Sequence, residues 1–171
     1  HTVANRDQIN SVLPSIKKKF DNYTKFSEAE FASMFSKDDM EDVLKLQATS
    51  FSSVYLENKG GGNFVPHQLP VQAQFSAVQS ILVGDYDGDG HLDALLAGNF
   101  YNPEFMTGRY DASIGLLLKG NGRGGFVPLS PSASGIHIRG DARFLQAIRM
   151  GRKSVILAAV NQGKLMIFEH R

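Results

Sequence analysis

Four aspartates lie close together in the segment DYDGDGHLD, which covers residues 85–93. The carboxylates at its positions 1, 3, 5 and 9 belong to Asp85, Asp87, Asp89 and Asp93. Carboxylates at this density repel one another strongly unless a cation lies among them. Hard oxygen ligands favour Ca²⁺, which accepts about six to eight oxygens in loose geometry, whereas Mg²⁺ keeps more of its waters. The spacing predicts a Ca²⁺ site made of these four side chains and the main-chain carbonyl of His91.

The shape of the loop separates this site from an EF-hand. An EF-hand loop carries a bidentate glutamate at its twelfth position. The twelfth position here is Leu96, which lies in the apolar run 92–97 that is typical of a buried strand. The sequence therefore favours a shorter strand–loop–strand site, in which Gly90 permits the sharp bend. A metal-free Asp/Gly turn is the alternative.

The acidic loop lies in a region predicted to form strands and tight turns. From residue 47 onward the chain is rich in β-branched, aromatic and glycine residues. A hairpin turn is predicted at residues 161–164. The predicted strands cover residues 51–58, 63–66, 80–84, 92–98, 115–119, 126–129, 144–149, 154–160 and 165–169. The pattern predicts a mainly β domain over residues 47–171.

Residues 1–46 are predicted to form a small helical segment. An apolar stripe with helical spacing consists of Ile9, Val12, Leu13, Ile16 and Phe20. Asn5 and Gln8 have the spacing of a capping box ahead of this stripe, and Pro14 predicts a break within it. A second capping box is predicted at Ser27 and Glu30. A third short helix is predicted from Ser36, with Met40, Val43 and Leu44 on its inner face.

An internal repeat points to the architecture of the β region. Residues 55–66 and 117–128 share one template, a strand followed by a Gly-rich turn and Phe-Val-Pro, and Phe64 and Phe126 are 62 residues apart. Such a period is compatible with four-stranded propeller blades. We predict a partial β-propeller of about two to three blades, with one complete blade at about 80–129. Its open strand edges are expected to be capped by the helices, to self-associate, or to dock to upstream blades.

Residues 81–99, followed by the Gly-rich turn and Phe126, resemble an FG-GAP/VCBS-type repeat, the calcium-binding blade of integrin-α-like β-propellers. The longer stretch is similar to the C-terminal region of large bacterial VCBS-repeat proteins of the ASPIC/UnbV-associated kind. This resemblance implies a structural Ca²⁺ on the propeller rim and an exported protein located outside the cell, in the periplasm or at the cell surface. It implies a binding, adhesion or structural role.

A second candidate surface is the long segment 99–112, which carries Tyr101, Phe105, Arg109 and Tyr110. These residue types dominate recognition surfaces, so the segment is a candidate binding site for a glycan or protein ligand. A self-packed loop whose aromatic side chains cover the edge of the core is the alternative. The residue pattern leaves the two interpretations open.

Charge and composition narrow the function classes. The net charge is −1 over residues 1–50, −4 over 51–100 and +6 over 101–171. The pattern does not favour nucleic-acid binding through the basic last third, because its basic residues are scattered and lack interleaved aromatic residues. No apolar run approaches the roughly 20 residues of a membrane-spanning helix, so we expect a soluble chain. The absence of cysteine excludes disulfides and thiolate sites.

No pattern of catalytic residues is evident outside the acidic loop, and the chain is not expected to be an enzyme. The five histidines show no metal-ligand spacing, and no nucleophile elbow is present. A non-catalytic accessory domain of a larger exported carbohydrate-active enzyme is the alternative to a binding or adhesion module. A module that binds an anionic ligand or nucleic acid is the other alternative.

Overall fold

A computed structural model describes residues 4–103, 107–151 and 153–170. The chain forms two compact units, residues 1–49 and residues 50–171. The fold is mainly β, as predicted, with three small antiparallel sheets and a few short helices. Within the described ranges, no helix has the length and apolar character needed to cross a membrane.

The first unit consists of short helices around a small apolar core. Its helices are α1 (Arg6–Val12), α2 (Pro14–Lys19), α3 (Tyr23–Glu28) and α4 (Phe31–Met34), followed by a 3₁₀ turn at Asp38–Met40. The predicted capping box is confirmed, since the Gln8 N–H donates to Asn5 Oδ1 at 2.9 Å and the Asn5 N–H donates to Gln8 Oε1 at 2.8 Å. The predicted break is also confirmed, because α2 begins at Pro14.

The other two helix predictions in this unit are wrong. Ser27 lies inside α3 and donates to the carbonyl of Thr24, because Asn22 caps that helix by accepting the Lys25 N–H at 2.9 Å. The helix predicted from Ser36 is only the 3₁₀ turn, and the side chain of Leu44 is 79% exposed. A helix this short needs an apolar face to bury, and both Val43 and Leu44 are exposed.

The described residues of the second unit form nine strands in three antiparallel sheets. The first sheet pairs β1 (Val54–Asn58) with β2 (Phe64–Gln68). The second has the order β3 (Ser80–Gly84), β4 (Asp93–Ala97), β5 (Leu116–Gly120) and β6 (Phe126–Pro128). The third has the order β7 (Ala142–Met150), β8 (Lys153–Val160) and β9 (Met166–His170), and α5 (Pro131–Ser134) precedes it. Among the described residues, no sheet closes on itself.

The internal repeat is a structural repeat. In the first sheet Leu56 lies opposite Pro66, and in the second sheet Leu118 lies opposite Pro128. The two turns close with the same bond, from Lys59 N to Asn63 O at 2.9 Å and from Asn121 N to Gly125 O at 3.1 Å. Because register and turn agree, β1–β2 corresponds to β5–β6.

The second strand of the four-stranded sheet, β4, is buried along its entire length and packs against apolar clusters on both of its faces. Alternate residues of a strand point to opposite faces. On one face Leu95 packs with Leu145 and Ile156 from the third sheet. On the other face Leu96 packs with Ala73, which belongs to a 3₁₀ turn at Val71–Gln74. A strand fixed on both sides is a rigid support for the loop that precedes it.

Candidate metal centre

The acidic loop connects β3 to β4 at one end of the four-stranded sheet. Gly84 and Asp93 form the last antiparallel pair of these strands, so the loop leaves and re-enters the sheet at adjacent positions. Gly90 has φ +85°, a left-handed conformation that favours glycine. The predicted strand–loop–strand arrangement is therefore the observed one.

Three of the predicted ligands lie together in this loop. One carboxylate oxygen from each of Asp85, Asp87 and Asp89 lies within 4.8 Å of the others, so this cluster could hold a metal ion. Asp85 Oδ1 accepts the Gly88 N–H at 2.8 Å, and Asp85 Oδ2 accepts the Gly90 N–H at 3.0 Å. These two bonds fold the loop back over the Asp85 side chain, so that the Asp85 carboxylate lies close to those of Asp87 and Asp89.

Backbone amides further along the loop orient the other two carboxylates. Asp87 Oδ1 accepts the Asp89 N–H at 3.2 Å, and Asp89 Oδ1 accepts the His91 N–H at 2.8 Å. In both cases the second oxygen, Oδ2, faces the ammonium group of Lys119. His91, whose carbonyl is a predicted ligand, is thereby tied to the cluster through its amide.

Lys119 belongs to the acidic cluster, although the sequence pattern did not predict it as a site residue. Its Nζ contacts Asp87 Oδ2 and lies 2.9 Å from Asp89 Oδ2. The hydrogen bonds to these carboxylates raise the pKa of Lys119, and the Lys119 hydrogen bond lowers the pKa of Asp89. The antiparallel pairing of β4 with β5 could have indicated this contact, because it brings the last residues of β5 to the same sheet end as the acidic loop.

The charges of the cluster are only partly balanced by Lys119. The cluster has three carboxylates, and one ammonium contacts two of them, which leaves two negative charges that a divalent cation would neutralise. The ligand atoms are all hard oxygens, the donor set typical of Ca²⁺ and Mg²⁺. Because Lys119 shares Asp87 and Asp89, an incoming ion has to compete with its ammonium group.

Asp93 lies outside the group formed by the other three aspartates. It is 2% exposed, and its two oxygens accept the Tyr86 N–H at 2.9 Å and the Gly120 N–H at 2.8 Å. A carboxylate has about four acceptor positions, so these two bonds leave further acceptor capacity. Asp93 fastens the loop and the end of β5 to the start of β4.

The residues of the second candidate surface are placed separately from the acidic cluster. The guanidinium carbon of Arg109 lies 4.9 Å from the centre of the Tyr101 ring. Tyr110 pairs with Phe100 through two backbone bonds of 2.8 and 2.9 Å, and its side chain is 48% exposed. Phe105, the fourth predicted residue, lies outside the described residues.

No family model, curated protein or solved structure matches this chain. The resemblance to FG-GAP/VCBS-type repeats therefore depends on residues 81–99, the Gly-rich turn and Phe126.

Proposed function

We propose that this chain is a calcium-binding β-propeller-type module of an exported protein, related to the FG-GAP/VCBS repeats. Its Ca²⁺ is a structural ion, and its role is binding or adhesion outside the cytoplasm. The observation that carries the proposal is the cluster of Asp85, Asp87 and Asp89, whose three carboxylates are only partly balanced by the single ammonium of Lys119.

The choice of Ca²⁺ follows from the ligands. All the proposed ligands are protein oxygens that lie between the end of β3 and the start of β4. They are the three clustered carboxylates, the His91 carbonyl and the Asp93 carboxylate, which has unused acceptor positions. Ca²⁺ accepts many protein oxygens at flexible distances, whereas Mg²⁺ prefers few protein ligands and a strict octahedron. Extracellular Ca²⁺ is high enough to fill even a weak site, which agrees with a location outside the cytoplasm.

The propeller arrangement is supported by how the sheets relate to one another. The second sheet has the four strands of a blade in sequence order, and the first sheet repeats its outer two strands in the same register. The first strands of the second and third sheets lie beside each other, since the Leu145 N–H donates to Ser80 Oγ at 2.9 Å. This contact is compatible with successive four-stranded blades arranged around a common centre.

The segment 99–112 is proposed as a ligand surface of the module. The stacked pair of Arg109 and Tyr101 and the exposed ring of Tyr110 offer a planar cation and aromatic faces. Such groups suit a glycan or a protein ligand. Binding on a glycan array that is lost in both Tyr101→Ala and Tyr110→Ala would support this surface, and unchanged binding would contradict it.

Calcium dependence of the melting temperature tests the proposed site. We expect saturating Ca²⁺ to stabilise the chain by about 2.7 kcal/mol at a hundredfold excess over Kd, because the ion binds only the folded loop. Chelator should remove this increment, and Asp89→Ala should abolish it. Asp111→Ala, at an exposed position outside the cluster, is the matched control and should keep it. An identical melting curve with Ca²⁺ and with chelator would overturn the proposal.

A further inference from the structure

An apolar groove runs beside β1 in the second unit. It has a volume of about 770 Å³. Its exposed apolar lining is formed by Val54 and Leu56 of β1, Ile81 and Val83 of β3, and Leu92, which are 37, 55, 57, 57 and 64% exposed. Large apolar side chains grouped at one place on a surface mark a binding site, whereas the same side chains scattered singly do not.

The groove continues an interface that already exists inside this unit. The groove is also lined by Ala94, Leu96 and Leu118, which form a buried cluster with Ala73, and by Leu69, which packs against that cluster. The buried part of this interface is complete, and the groove is its uncovered extension. A strand placed in the groove would continue the same layer of strands.

The edge of β1 beside the groove is open. Among the described residues, β1 pairs only with β2. Immediately before and after β1, the Leu69 N–H donates to the Ser53 carbonyl and the Lys59 N–H donates to the Asn63 carbonyl. The backbone groups of the odd-numbered residues therefore point towards β2. Because antiparallel bonding alternates along a strand, Val54 and Leu56 direct their N–H and C=O groups to the other side. This side can accept another strand.

The structural repeat identifies the occupant. β1 corresponds to β5, and the free edge of β1 corresponds to the edge on which β5 pairs with β4, through Leu118 opposite Ala94. Leu118 is 0% exposed, whereas its counterpart Leu56 is 55% exposed. The two positions differ because β5 has an inner neighbour and β1 has none.

We propose that β1 is an acceptor edge for an antiparallel β-hairpin of a partner polypeptide, which resembles β3–β4 in chemistry. The inner strand of that hairpin is apolar, pairs with Val54 and Leu56, and lays its side chains into the groove. The added pair completes a four-stranded sheet, since two strands alone are marginally stable. Strand addition of this kind takes affinity from backbone bonds and specificity from the side-chain pockets.

The repeat also sets where the pairing ends. A Cβ at Gly120 would lie 2.0 Å from the Leu92 carbonyl oxygen, so β5 needs glycine where the loop before β4 crosses it. The counterpart of Gly120 in β1 is Asn58. Its side chain excludes an equally close loop, and the docked strand therefore begins opposite Leu56.

A peptide of residues 80–99 of this chain is the probe, because it carries the strands that cover the corresponding edge of β5. The labelled peptide is titrated into the full chain in chelator, so that the outcome does not depend on the proposed calcium site. We expect saturable binding by fluorescence anisotropy and slower amide hydrogen exchange at Val54 and Leu56.

Leu56→Asp should weaken this binding about tenfold or more, because a charge replaces an apolar side chain in the groove. Ile167→Asp, at a 58% exposed position of β9, is the matched control and should bind like the unmodified chain. Absent binding, equal loss in both variants, or protection of amides elsewhere would overturn the proposal. A concentration-dependent dimer of the unliganded chain that protects the same amides would also overturn it, because the occupant would then be a second copy.

Discussion

The carboxylate of Asp93 accepts the backbone N–H of Gly120 at 2.8 Å, although 27 residues separate them in sequence. Its other oxygen accepts the Tyr86 N–H, so one buried side chain joins the acidic loop, the start of β4 and the end of β5. Lys119, next to Gly120, is thereby held beside Asp87 and Asp89. The geometry of the candidate metal centre thus depends on a residue outside the carboxylate cluster.

Asp93→Ala should destabilise the chain even when calcium is absent. The substitution removes the carboxylate that accepts the buried Gly120 N–H and the partly buried Tyr86 N–H, and hydrogen bonds to a charged group contribute about 1.5–3 kcal/mol each. We expect a loss of about 3 kcal/mol in the free energy of unfolding, measured by urea denaturation in chelator. Asp87→Ala, which removes an exposed carboxylate, is the comparison and should change this value little. Equal losses in the two variants would contradict the structural role of Asp93.

Gly120→Ala should also be destabilising, for a steric reason. The added Cβ would lie 2.0 Å from the carbonyl oxygen of Leu92, a backbone atom that moves only with the loop. Forced repacking of this kind costs about 1–3 kcal/mol. Gly135→Ala would meet no atom within 4 Å, although its φ of +69° adds backbone strain. Thermal melts should therefore place Gly120→Ala below Gly135→Ala.

Lys119→Met should increase affinity for Ca²⁺. The ammonium occupies the face of Asp87 and Asp89 that the ion requires, so its removal eliminates an internal competitor. Since Lys119 and its carboxylate partners are partly exposed, we expect the Kd for Ca²⁺ to fall about three- to tenfold by isothermal titration calorimetry. Lys164→Met, which removes an exposed lysine elsewhere, should leave Kd unchanged. A weaker affinity in Lys119→Met would show that Lys119 assists the site.

The ionisation of Asp89 should depend on Lys119. The hydrogen bond from Lys119 lowers the pKa of Asp89 in the folded chain, so the stabilisation is present above the unfolded-state pKa. It is lost as the pH falls through the lowered folded-state value. Carboxyl-carbon NMR titration in chelator should give a higher Asp89 midpoint in Lys119→Met than in the unmodified chain. An unchanged midpoint would indicate that the amide of His91 alone holds Asp89 ionised.

Local patterns predicted the elements of the second unit well. Each strand predicted from residue 80 onward overlaps an observed strand with ends that differ by at most two residues. The repeat at Phe64 and Phe126 also corresponds to a shared register. These features depend on alternation and on turn residues, which act over a few positions. The helical unit was predicted less well, because Asn22 caps a helix that begins at Tyr23, and the predicted cap Ser27 therefore lies inside that helix.

The sequence by itself determined that four aspartates share one loop between two strands and that the chain is mainly β. Only the tertiary structure decided how those aspartates divide, with three in a cluster beside Lys119 and Asp93 buried on two amides. It also decided that Leu118 is buried while its counterpart Leu56 is exposed. The physical reason is that spacing along the chain specifies the conformation of a loop or strand. Burial and charge pairing depend instead on which distant strand lies alongside.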